Sequence, residues 1–284
     1  MHFTKTQLTG ALAAVSLIIP AAAFAATIDG GPGSERLRGT NGPDTIKGNG
    51  GNDRIRGLGA DDTLNGGSGN DRVFGNSGND VITGVAGNDW LNGGAGDDTV
   101  TGDVNAYGDV TSFDRIFGGA GNDTLRGGDS ADRLFGGTGN DRSFGEDGHD
   151  RMAGGTGDDG QDGGAGNDTI FANRGADVSL GGDGNDVLWA LARADVSGPG
   201  DVAGDTLDGG NGDDVFRTRD GEADRITCGA GNDRALLDTV DVITDAAPEN
   251  LNGSCEVVQR KAPKASETRS EDSQESVASE RVTS

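Results

Sequence analysis

Between residues 57 and 101 one aliphatic side chain returns every nine positions: Leu64, Val73, Ile82, Leu91 and Val100. The five units are GLGADDTLN, GGSGNDRVF, GNSGNDVIT, GVAGNDWLN and GGAGDDTVT, each opening on glycine. A lone aliphatic residue between outward-facing neighbours predicts a short strand with its middle side chain turned inward. The six glycine-rich residues before it predict a tight turn, because glycine tolerates positive φ and close backbone approach. Two units then close one coil, with two strands facing across a thin aliphatic core, and successive coils stack as parallel strands. The expected class is therefore all-β.

The frames of nine run without slippage from Gly30 to Thr101, the first carrying Glu35 where later ones carry aspartate. Residues 102–113 break the period and read as a loop or a joint between rolls; frames resume at Asp114 and continue to Trp189. A second break, 190–204, ends at Asp205-Thr206-Leu207, and the last frames carry Asp214, Asp224 and Asp233. The chain so divides into a leader (1–25), a first block (26–101), a second block (114–189), terminal repeats with a cap (205–258) and a polar tail (259–284) expected to be disordered. The leader has Lys5, an apolar run from Leu8 to Ile19 and Ala23-Phe24-Ala25, the pattern of a secretory signal peptide. Its apolar run is too short to favour a membrane span. The mature chain is expected to be secreted, extracellular or at the cell surface.

Composition changes this picture in one respect. With 54 glycines, 4% aromatic residues and a formal charge of −25, the chain reads as disordered unless something neutralises its carboxylates. Nucleic acid is a disfavoured partner for so acidic a chain. In coils of eighteen residues Asp44, Asp62, Asp80 and Asp98 share one face, and Asp53, Asp71 and Asp89 share the other. Carboxylates stacked about 5 Å apart repel unless a cation lies between them.

The repeated pattern GGxGxDxUx closely resembles the RTX, or haemolysin-type, calcium-binding family over most of the mature chain. The resemblance implies a parallel β-roll, a calcium-stabilised β-solenoid, with several Ca2+ ions between successive turns on each side. Calcium takes six to eight oxygens and tolerates irregular geometry. The implied carboxylate ligands are Asp44, Asp53, Asp62, Asp71, Asp80, Asp89, Asp98, Asp114, Asp123, Asp132, Asp141, Asp150, Asp159, Asp168, Asp177, Asp186, Asp214 and Asp233. The implied carbonyl ligands include Gly66, Gly67, Gly69, Gly93, Gly94, Gly96, Gly118, Gly119 and Gly121. Cys228 and Cys255 are either free thiols or a pair; the resemblance of their surroundings to terminal segments of secreted members implies a bridge closing the roll. Residues 228–258 then read as a cap over the last coil. The family's usual export signal is C-terminal, whereas this chain carries an N-terminal one.

An enzyme is not expected: HExxH and GxSxG are absent, and His149 is a turn residue at the variable fifth position. The expected function is structural or interactive, with a calcium-stiffened adhesin-like or glycan-binding module as the alternative. Two irregularities stand out. Inward positions on one side of the second block read Leu125, Ser143, Gln161 and Ser179, against Leu134, Met152, Ile170 and Leu188 opposite. A one-residue shift would bring Phe144 and Leu180 inward instead. Outward ninth positions read Phe117, Phe135, Ala153, Phe171 and Trp189, a near-continuous aromatic stripe suited to self-association or a glycan or cell-surface partner.

Overall fold

The computed structural model describes residues 24–103, 112–190, 204–246, 250, 251 and 253–261. The leader up to residue 23 and the tail from residue 262 lie outside the described residues. All regular structure among the described residues is strand: 24 strands run from Thr27–Asp29 to Val257–Arg260. They alternate between two parallel sheets of 12 strands each, which gives a solenoid of about 11 turns. Strands 18 residues apart pair in register, so Leu64 lies beside Ile82 and Val73 beside Leu91. The sheet containing Thr45–Gly50 is called the first, and that containing Arg54–Gly59 the second.

Each inward eighth position is buried, from Ile46 and Ile55 through Val100 and Ile116 to Leu188 and Leu207. The core is thus one aliphatic side chain deep on each side. Strands are twice as long as the sequence pattern predicts. Thr63–Ser68 covers positions seven to nine of one unit and the first three of the next, leaving only three residues for the turn. Glycine is a poor strand former in isolation, but here Gly67 pairs with Asn49 and Val85 in the ladder, and context overrides propensity.

The sheets run unbroken across both irregular segments. Leu91 pairs with Ile116 and Val100 with Leu125, while Ser179 pairs with Leu207 and Leu188 with Phe216. The two blocks are consecutive coils of one roll, and the strand order is the same on either side of each insertion. The alternative register at the polar side is not adopted. Ser143, Gln161 and Ser179 all point inward and are buried, while Phe144 is half-buried and Leu180 is exposed. Ser179 Oγ donates to Gln161 Oε1 at 3.2 Å, but Ser143 Oγ and Gln161 Nε2 find no partner. The apolar core divides here, one cluster ending at Leu125 and Ile170 and the next starting at Leu188 and Leu207.

At the C-terminal end Cys228 and Cys255 form a disulfide with Cα atoms 5.2 Å apart, buried among Ile226, Leu237 and Ile243. The segment read as a cap is itself made of coils, since Arg234–Leu237 pairs with Val257–Arg260. The last strand therefore takes in Gln259 and Arg260 from the stretch expected to be disordered. Arg260 is held there by a 2.9 Å hydrogen bond from its guanidinium to the Asp241 carbonyl.

Candidate metal centre

The turn at positions four to six delivers the sixth-position aspartate into the space between coils. Glycine at positions two and four makes this possible: Gly67 and Gly69 have φ of 108° and 121°, and a Cβ on either would strike the backbone of the coil before. The aspartate side chains are buried; Asp62 and Asp71 are each 1% exposed, and Asp114 and Asp186 are fully covered.

Each carboxylate uses one oxygen structurally. The backbone N–H of Asp44 donates to Oδ1 of Asp62 at 2.7 Å, Asp62 in turn to Asp80, and Asp80 to Asp98. This column continues through Asp123, Asp141, Asp159, Asp177, Asp205 and Asp224 to Asp241. On the other side it runs from Glu35 through Asp53, Asp71, Asp89, Asp114, Asp132, Asp150, Asp168, Asp186 and Asp214 to Asp233. Glu256 closes it by accepting from the Asp233 N–H at 2.7 Å. Every aspartate singled out in the sequence is in one of these columns. Asp205, Asp224, Asp241 and Glu256 join them, although the first two were not among the implied ligands and the last two lie outside clean frames.

The second oxygen is left over. Oδ2 of Asp53, Asp62, Asp71, Asp80, Asp89 and Asp98, and of most later members, is buried with no hydrogen-bond partner. It sits beside the first glycine of its own unit, where a Cβ on Gly66 would come within 2.4 Å of Asp71 Oδ2. The carbonyl oxygen of the next coil's first glycine faces the same space: a Cβ on Gly48 would meet both Asp53 Oδ2 and the Gly66 carbonyl. A cradle of unpartnered carboxylate and carbonyl oxygens, kept open by the missing Cβ, fits a hard cation. Asp44 departs from the rule, because the Thr40 N–H donates to its Oδ2.

The electrostatics agree. Burial pushes the carboxyls of Asp71 and Asp80 up to about 6, and the backbone N–H each accepts pulls back against it. Burial raises Asp89 and Asp132 further, to about 9, and the charge of their column neighbours adds to the effect. Without a counter-cation Asp89 and Asp132 would hold protons at neutral pH, and Asp71 and Asp80 would ionise only against the cost of burial.

A second ladder escaped the sequence pattern. At position five the Asn70 N–H donates to Asn52 Oδ1 at 2.9 Å, and Asn88 to Asn70 at 3.0 Å. His149 belongs to this ladder, its Nδ1 accepting from the Asn167 N–H at 2.7 Å. Most fifth positions carry asparagine, aspartate, serine or histidine, each with an acceptor, while Pro43, Ala131 and Ala176 offer none. In the irregular turn 218–224 the carboxylates of Asp220, Glu222 and Asp224 bring oxygens within 4.8 Å of one another, a denser oxygen group than a regular turn provides.

The aromatic stripe is less exposed than its outward positions predict. Phe117 stacks on Phe135 at 5.1 Å and on Trp90 at 5.3 Å, and Phe171 on Trp189 at 5.9 Å. Phe117 and Phe171 are buried, and Ala153 separates the two groups.

A family model for the RTX calcium-binding nonapeptide repeat matches residues 29–64, 48–82, 56–89, 74–105, 111–142, 144–160, 162–189 and 200–235. A search of curated proteins finds no match. The matched segments cover most of the roll, and the chain belongs to the RTX calcium-binding nonapeptide-repeat family.

Proposed function

We propose that this chain is a secreted calcium-binding β-roll with a structural or interaction role, whose folding is coupled to calcium, and that it has no catalytic activity. The observation that carries this reading is the two columns of buried carboxylate oxygens left without partners. The ligands on this reading are the sixth-position aspartates from Asp53 to Asp233, with glycine carbonyls of the turns such as Gly66, Gly93 and Gly118. Gly67, Gly69, Gly94, Gly96, Gly119 and Gly121 hold the turn in its positive-φ shape and add carbonyls along it. A bound ion would supply the positive charge that lets the aspartates stay ionised between coils.

The test is equilibrium dialysis against calcium with the parent and the double variant Asp71→Asn and Asp89→Asn. The variant is expected to bind fewer ions and to need more calcium to fold. Unchanged stoichiometry and an unchanged folding midpoint would overturn the ligand assignment. A second reading, an adhesin-like or glycan-binding module, is favoured by the rings and guanidinium groups gathered on the outer face of the second sheet, including Arg115 and Arg133 against Phe113.

A further inference from the structure

The outer face of the second sheet carries a column of arginines that the calcium reading does not use. Arg36, Arg54 and Arg72 occupy the same register of three adjacent strands, and Arg38 and Arg56 stand beside them two residues on. All five are exposed. The chain has 48 acidic residues, yet none of the five makes an ion pair among the described residues, where the pair found is Arg126 with Glu146 on the other sheet. Like charges are therefore crowded together along adjacent strands of one sheet. The column resumes at Arg115, Arg133 and Arg151 after Trp90 interrupts it.

The arginines also border a groove of about 780 Å³, where Arg36, Arg54, Arg72 and Arg115 stand beside Trp90 and Phe113 and next to the column carboxylates of Glu35, Asp53, Asp71 and Asp89. Of these acids Glu35 accepts a hydrogen bond from the Gly31 N–H, and the three aspartates are buried. Rings hold several of the guanidinium groups in place. Arg54 and Arg56 lie 5.7 and 5.8 Å from the Phe74 centroid, and Arg115 and Arg133 lie 5.1 and 5.2 Å from that of Phe113. Such support lowers the entropy lost when an arginine binds an anion.

We propose that this face binds a linear acidic polysaccharide, with Arg36, Arg54 and Arg72 taking successive carboxylate or sulfate groups. Strands step by about 4.8 Å, on the order of one extended sugar unit, so a straight arginine column meets a polymer whose charges recur along a line. Guanidinium groups suit both anions, which they can bind through two parallel hydrogen bonds. The net charge of −25 opposes every polyanion at long range, so binding depends on this local arginine column; among polyanions a nucleic acid fits less well. Single strands are held by bases stacking on free ring faces, whereas Phe74 and Phe113 are covered by arginines and Trp90 by Phe117.

The face exists only on the folded roll, so this proposal rests on the calcium reading above. The test measures binding to dextran sulfate and carboxymethyl dextran at one saturating calcium concentration, with uncharged dextran and a thymidine oligonucleotide as comparisons. Far-UV circular dichroism on each protein separates loss of folding from loss of binding. The variant Arg36→Gln, Arg54→Gln, Arg72→Gln is expected to fold and to bind the acidic dextrans about tenfold more weakly. Removing three exposed cations from the first sheet instead (Lys47→Gln, Arg142→Gln, Arg225→Gln) is expected to change binding by less than about twofold. Equal binding by the parent and the first variant, equal binding to uncharged dextran, or tighter binding to the oligonucleotide would overturn the proposal.

Discussion

At the residue scale the unit divides its work among a few positions, and departures from them show what each contributes. The second position adopts positive φ from Asn49 to Gly94 and from Gly119 to Gly182, and two bulky residues are forced into it: Leu58 at 99° and Val85 at 96°. A β-branched or bulky residue pays for that conformation, on the order of 1–3 kcal/mol. Val85→Gly is therefore expected to raise thermal stability in saturating calcium by about 1 kcal/mol, read from the unfolding midpoint. A lower midpoint would mean that the Val85 side chain contributes more by packing than its backbone costs. The sixth-position aspartates were legible because one residue type recurs at one spacing. The fifth-position ladder was not legible, because Asn70, Asp97 and His149 share only an acceptor atom, and a pattern of residue names does not display it.

At the element scale the inward position of each strand was readable from Leu64, Ile82 and their counterparts, but strand length was not. Gly66-Gly67-Ser68 reads as turn by composition, and only the in-register neighbours Gly84-Val85-Ala86 make it strand. The continuity of the sheets was hidden for a similar reason. The step from Asp89 to Asp114 is 25 residues, and by sequence the break at 102–113 reads equally as a loop or as a joint between separate rolls. The polar run was readable, and it defines a weak element. Ser143 and Gln161 bury polar atoms without partners where the apolar core divides, at a cost of about 1–3 kcal/mol for each such atom. Amide hydrogens in 141–181 are expected to exchange faster than those in 57–101 at equal calcium, measured by mass spectrometry. Ser143→Val should slow exchange locally and raise the unfolding midpoint. The reverse order of protection would contradict this account of the core.

At the scale of the whole molecule, protons and calcium compete for the same oxygens. Burial raises the folded-state carboxyls of Asp53, Asp71 and Asp123 to about 6 and those of Asp89, Asp132 and Asp177 to about 9. An unfolded aspartate titrates near 3.9, so the metal-free roll binds more protons than the unfolded chain. The resulting stability is fully present below pH of about 3.9 and is lost as pH rises through about 6 to about 9. In excess chelator the chain is expected to gain β structure on acidification and to lose it toward neutral pH, and calcium binding near pH 7 should release protons. A metal-free chain that instead gains structure as pH rises would reverse the sign and contradict the burial of these groups.

The claim beneath all of these is that calcium binding and folding form one equilibrium, because a one-residue-deep core cannot hold two columns of buried aspartates together unaided. The most direct test is far-UV circular dichroism with thermal unfolding at neutral pH, first in excess chelator and then in millimolar calcium. The account predicts a largely unstructured chain without the ion, and β signal with a cooperative thermal transition once calcium is added. A folded two-sheet roll that persists in chelator with the same unfolding midpoint would contradict it.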